Sequence, residues 1–166
     1  MKTVVVLAMH GVPPKDFPHD DLKEFFALHA RHEAPGAVPS ARYAELEDKL
    51  RRWPRTPEND SYHAASHDLA QAMGQESGYE VKVGFNEFCA PDMDEALAQA
   101  VEAGAERIII ATTMMTRGGG HAERDIAEAI SRGRQKYPGA EIIYAWPFDI
   151  DEIARFLAKH IRKFTL

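Results

Sequence analysis

Two histidines placed just after apolar runs are the residues of this chain best suited to chemistry. His121 stands in Thr112-Thr113-Met114-Met115-Thr116-Arg117-Gly118-Gly119-Gly120-His121-Ala122-Glu123-Arg124-Asp125-Ile126. The run Ile108-Ile109-Ile110-Ala111 before it reads as a buried strand, and Ile126, Ala129 and Ile130 after it repeat at helical spacing. His10 directly follows a second such run, Val4-Val5-Val6-Leu7-Ala8-Met9. In parallel α/β folds, ligands bind where strands empty into helices, at the carboxyl edge of the sheet. Two imidazoles delivered there, though distant in sequence, can converge on one ligand. Imidazole coordinates Co²⁺, Ni²⁺, Fe²⁺ and Zn²⁺. In its neutral form it also accepts a proton.

The elements that must position these residues are legible in outline. Apolar runs predict four strands, over 3–9, 79–85, 107–113 and 141–146. Helical patterns lie over 92–103, 121–136 and 150–164. The first opens after Pro91 with Asp92, Asp94 and Glu95 in its first turn and stops at Gly104. The second is closed by Tyr137-Pro138-Gly139, and the third carries Ile150, Ile153, Leu157 and Ile161 on one stripe. Alternating strands and helices predict a central parallel sheet of about four strands, with right-handed crossovers and helices on both faces.

The stretch between the first two strands is longer than one crossover helix needs. Helical patterns over 20–32, 41–53 and 61–76 are separated by breaks at Pro13-Pro14, Pro35 to Pro39 and Pro54 to Pro57. A structureless loop of that length would be unusual, so this is read as a helical insertion over about 20–57, followed by the packed crossover helix. It begins just after His10, which places it over the carboxyl edge as a lid or substrate wall.

Bulk properties narrow the function. The 166 residues are read as one domain, 1–166, large enough for a real core. A net charge of −6 excludes general attraction to nucleic acid or anionic membrane. No run approaches the ~20 apolar residues of a membrane span. The apolar N-terminus is read as a first core strand rather than a signal peptide, its basic region being one lysine. One cysteine, Cys89, excludes an internal disulfide and a Cys-based zinc framework, which fits a cytoplasmic location.

Three blocks in order resemble the class II tetrapyrrole chelatases, of the sirohydrochlorin cobaltochelatase and ferrochelatase type. They are strand–His10-Gly11; Val83-Gly84-Phe85-Asn86-Glu87-Phe88-Cys89-Ala90-Pro91, similar to a Phe-x-Glu followed by a helix-opening proline; and Gly120-His121-Ala122-Glu123-Arg124-Asp125-Ile126, similar to Gly-His-x-x-x-Asp-Ile. The resemblance implies a chelatase-like, flavodoxin- or Rossmann-like three-layer α/β domain. It implies insertion of Co²⁺ or Fe²⁺ into a sirohydrochlorin-like tetrapyrrole in sirohaem or cobalamin biosynthesis, with Ni²⁺ or Zn²⁺ as further candidate ions. His10, Glu87 and His121 are then both the metal ligands and the catalytic groups, with no organic cofactor. Such a site keeps open coordination positions, as catalytic zinc sites do. Small members of the family pair as homodimers, so a homodimer is implied here.

Other readings stand beside these. Asp125 either orients a histidine or simply suits a helix N-terminus. Cys89 is read as a small buried hydrophobe. His19, His29, His32, His63, His67 and His160 are read as surface or packing residues, although His63 and His67 have the i, i+4 spacing of a metal clamp. Lys49, Arg51, Arg52 and Arg55, with Trp53 among them, form the densest basic cluster, and Arg117 and Arg124 flank His121. A carboxylate-rich substrate would need such cations, so the insertion is expected to fold over the cleft and help hold the tetrapyrrole; the other reading of these cations is a solvated helix face. Gly118-Gly119-Gly120 could cradle phosphate but lacks the Walker spacing and lysine. Histidine phosphatases share a strand-end His-Gly but want Arg before it, where Met9 stands. A non-catalytic metal- or tetrapyrrole-delivery protein of the same fold is the alternative to an enzyme.

Overall fold

The computed structural model describes residues 1–32 and 38–165. Residues 35–37 of the second proline-rich break lie outside them. Strands β1 (Thr3–Met9), β2 (Glu80–Phe85), β3 (Arg107–Thr112) and β4 (Glu141–Tyr144) form one sheet in the order β2-β1-β3-β4. Every pairing is parallel. The central strand β1 is buried from Val4 to Met9 without alternation, as a parallel strand covered on both faces must be.

Helices α1 (His19–His32), α2 (Ala41–Arg51) and α3 (Ser61–Ser77) follow β1. Then come α4 (Met93–Glu102) after β2, α5 (Ile126–Lys136) after β3, and α6 (Ile150–Ile161) after β4. Asp92 caps α4 in a capping box with Glu95. On one face, Val4, Val6, Ala8, Ile108, Ile110 and Ile142 pack against α4 and α5 through Leu97, Ala100, Ile126 and Ile130. On the other, Leu7, Met9, Val83 and Phe85 pack against Ala70 of α3.

The insertion has a small core of its own. Phe17, Phe25, Tyr43, Leu46 and Leu50 are buried together, with Trp53 and Phe88 against them. Phe88 lies in the loop after β2, so the insertion is anchored beside the carboxyl edge of the sheet.

The apolar stripe read over 150–164 is present but uncovered: α6 buries none of its residues. Ile150, Phe156, Leu157 and Ile161 are 79, 59, 50 and 58 % exposed. The sheet face beside α3 is correspondingly incomplete: Ile109, Ala111 and Ile143, at the β3–β4 end, are only partly buried.

Candidate metal centre

The β1–β2 ladder runs on past the ends of the strands. The Asn86 and Glu87 amides donate to the Met9 and His10 carbonyls, each at 2.9 Å, which carries Glu87 alongside His10. Gly11 permits this approach. It has φ +100°, and a Cβ there would lie 1.9 Å from the Glu87 carbonyl oxygen. Only glycine meets both conditions. Gly11→Ala should displace the Glu87 loop and abolish metal binding at the centre, and titration with Co²⁺ checks it; unchanged binding would mean that the loop can move aside without cost.

His121 arrives differently. The Gly-rich turn after β3 is closed by the Gly118 amide, which donates to Glu123 Oε1 at 2.8 Å. The chain then enters α5 through one π-helical turn, His121–Asp125. Such turns are rare and concentrate at functional sites. Tyr144 of β4 supports this one by donating its hydroxyl to the Ala122 carbonyl at 2.9 Å.

The three predicted residues meet. One ligand atom from each of His10, Glu87 and His121 lies within 4.8 Å of the others. His10 Nε2 is 3.9 Å from Glu87 Oε2, and His121 Nε2 is 3.4 Å from Glu87 Oε1. The two imidazole rings stand edge to face, their centroids 4.6 Å apart. Both rings have a defined tautomer by elimination. His10 Nδ1 lies 2.7 Å from the Gly11 carbonyl oxygen, which can only accept, so Nδ1 carries the proton. His121 Nδ1 donates to Asp125 Oδ2 at 2.6 Å. In each neutral ring the lone pair is left on Nε2, the atom that faces Glu87. The tyrosine hydroxyl of Tyr62, in α3, accepts from the His10 amide at 3.3 Å.

Asp125 therefore orients His121, the first of its two sequence readings. Burial opposes its ionisation, but hydrogen bonds from Arg124 and His121 outweigh it and hold the carboxyl below its usual range. It thus stays a carboxylate throughout the range in which a histidine ligates metal. Carboxylate–imidazole–metal arrangements fix ring orientation and raise ligand basicity. Asp125→Asn should weaken metal affinity by about 10–100-fold without loss of fold. Isothermal titration with Co²⁺ reads this, and an unchanged affinity would return Asp125 to a helix-dipole role.

Cys89 is fully buried, with its thiol 3.5 Å from the Val12 carbonyl oxygen and outside the metal group. Burial pushes its thiol up from the usual value, which suits the packing role expected of it.

A cleft of about 430 Å³ lies next to the centre, reaching Asn86 beside Glu87 and Asp125 behind His121 but lined by none of the three ligand residues. Asn86, Asp92, Asp125 and Arg132 line it from the sheet domain, His32 and Arg51 from the insertion. The insertion thus walls the cleft, as its position after His10 suggested. The cations of the basic cluster are each engaged by the fold. Arg55 is buried against Asp60, and Arg52 is held by Asp48 and Glu95. Arg51 donates to Glu47 and to the Cys89 and Asn86 carbonyls. Lys49 is paired with Asp21, and Trp53 donates to Asp16 while packing edge-on against Phe17. Contiguous like charges read as one free patch in sequence, but each has found its own partner in the fold.

Comparisons with known proteins show the family and the fold. The model of the CbiX family matches residues 57–163, well over half of the chain. A sirohydrochlorin ferrochelatase of Priestia megaterium is 34% identical over 71 residues, 43% of this chain and 26% of that protein. SirB from Bacillus subtilis with Fe³⁺ superposes with a TM-score of 0.58 at 19% identity, over 100% of this chain and 48% of SirB. A CbiX protein of Marinobacter aquaeolei VT8, described as a putative cobalamin biosynthesis protein, gives 0.53 at 13% identity, over 98% of this chain and 93% of its own. The chain spans about a quarter of the curated ferrochelatase and about half of SirB. With a matching family model across β2 to α6 and a shared fold throughout, this chain belongs to the CbiX family.

Proposed function

We propose that this protein inserts Co²⁺ or Fe²⁺ into a sirohydrochlorin-like tetrapyrrole, with the ion as substrate. The observation that carries the reading is the convergence of His10, Glu87 and His121 beyond the ends of three strands, with both imidazole Nε2 atoms beside the Glu87 carboxylate. Two nitrogens and a carboxylate can present a divalent ion while leaving coordination positions open. Open positions are what a transfer site needs, because the ion must leave for the ring nitrogens. The insertion also releases two pyrrole N–H protons, and Glu87 or a vacated imidazole stands within reach to accept them. The adjoining cleft offers one wall for a flat macrocycle. SirB has been obtained with Fe³⁺ and with cobalt, and the Priestia relative is a sirohydrochlorin ferrochelatase, which supports this choice of ion and ring.

The test is an anaerobic absorbance assay of sirohydrochlorin with Co²⁺, Fe²⁺ and Ni²⁺ in turn. The reading requires a spectral shift to the metallated ring, faster with protein than without. Tight metal binding with no acceleration would instead identify a delivery protein.

The proposal extends to a homodimer acting in the cytoplasm, with residues 1–166 as one domain. No described helix is long and apolar enough to cross a membrane. The one cysteine is free and buried, compatible with a reducing compartment. The dimer is supported by the exposed apolar stripe of α6 and the half-covered β3–β4 face, each the complement the other lacks. Exposed apolar surface of this kind marks an interface. Replacing Ile153 and Leu157 together by Asp should convert a dimer to a monomer in sedimentation velocity. A wild-type protein that sediments as a monomer would remove the dimer from the proposal.

A further inference from the structure

A second pair of imidazoles lies outside the centre. His63 and His67 project from the same face of α3, one turn apart, with their Nε2 atoms 3.3 Å apart. The pair is held in place. The His63 amide donates to the capping carboxylate of Asp60 at 2.9 Å. The His63 ring stacks on the fully buried Phe85 ring at 5.3 Å and 16°, and His67 meets the same ring edge-on at 6.2 Å.

We propose that His63 and His67 form a second, exchangeable site for a divalent transition-metal ion. The separation of the two nitrogens suits a shared ion. With metal–nitrogen bonds of about 2.0–2.1 Å, two nitrogens 3.3 Å apart subtend about 104–111° at the ion, which brackets the tetrahedral angle. Burial, and then the neighbouring His67, lower the His63 pKa, so its imidazole is neutral at physiological pH and available as a ligand. Among the described residues, the only group of three or more closely placed metal-ligating side chains is the His10–Glu87–His121 centre. Water must therefore complete the coordination at the pair, and the ion is held by two protein ligands only. Such a site takes up an ion and gives it back. Its place is suggestive: Tyr62, the residue before His63, bonds the His10 amide.

The pair is specific for ions that favour nitrogen, and affinity should rise from Co²⁺ to Ni²⁺ to Cu²⁺. The experiment is equilibrium dialysis of the full chain against Co²⁺ and Ni²⁺, comparing wild type, His67→Gln, and the His10→Ala/His121→Ala double variant. His67 is exposed, so His67→Gln leaves the fold intact. The wild type should bind about two ions per chain, and each variant about one. Combining all three substitutions should leave none. Unchanged stoichiometry and affinity in His67→Gln would overturn the proposal, as would loss of all binding in the double variant. A wild type that binds one ion, lost in His67→Gln alone, would uphold this site and remove the insertion centre instead.

Discussion

His10→Ala and His121→Ala should each reduce metal insertion by about 10²–10⁴-fold, the range that a positioned proton-transfer group alone supplies. The melting temperature should stay within about 2 °C of wild type. The rings are 43% and 26% exposed, so truncating either opens no buried cavity, and the expected cost is about 0.5 kcal/mol. For a chain of this size that corresponds to about 2 °C at most. Co²⁺ titration separates the roles further. Loss of affinity together with loss of rate marks a ligand, whereas retained affinity with lost rate marks a proton acceptor. Lowering the pH should weaken Co²⁺ binding to the wild type, because protons compete with the ion for the same nitrogens. A large drop in melting temperature in either variant, with activity restored under stabilising conditions, would sink the metal-centre reading. The two histidines would then be turn residues.

The fold was legible wherever one local signal sufficed. The four predicted strands became β1 to β4 with their N-terminal bounds shifted by at most one residue; only the central β1, covered on both faces, is buried without a break. The centre was legible for a related reason. A parallel sheet puts the C-terminal end of every strand on one edge, so residues just after three strands must be neighbours, however far apart in sequence. Glu87 needed more than position, since a carboxylate after a strand is commonplace, and only its block identified it. The rest depended on pairings that sequence does not print. Lys49, Arg51, Arg52 and Arg55 read as one basic patch, but their partners are spread from the loop after β1 to α4. The π-helical turn at His121 left no periodic signature, because it is a single extra residue in an otherwise helical register. The stripe on α6 announced an apolar face correctly and said nothing about whose surface would meet it.

The largest effect on stability should come from one of those unprinted pairings. Arg55→Ala and Asp60→Ala should each cost about 3–5 kcal/mol, the usual result of leaving one member of a buried ion pair behind. Arg55 Nη1 lies 2.5 Å from Asp60 Oδ2, with the side chains 6% and 0% exposed. The guanidinium also donates to the carbonyls of Val12, Leu50 and Phe88, at 2.8, 2.9 and 2.5 Å. It is therefore the knot between the loop that carries His10, the loop that carries Glu87, and the insertion. Asp60 adds a second duty, capping α3 through the His63 amide, a contact generally worth about 1 kcal/mol. A loss of 3–5 kcal/mol lowers the melting temperature by about 6–20 °C for a chain of this size. Arg55→Lys should restore little, since an ammonium cannot reproduce the planar fork that reaches several carbonyls and a carboxylate together. Replacing both residues by apolar ones removes the unpaired charge but orphans those carbonyls, so it should recover only part of the loss. Because the same guanidinium holds both site loops, Co²⁺ affinity should fall in Arg55→Ala even well below its melting temperature. Thermal melts and Co²⁺ titration of the four variants decide it. An Arg55→Ala protein that melts within 2 °C of wild type would show that the loops are held by the insertion's apolar core around Phe88 rather than by this ion pair.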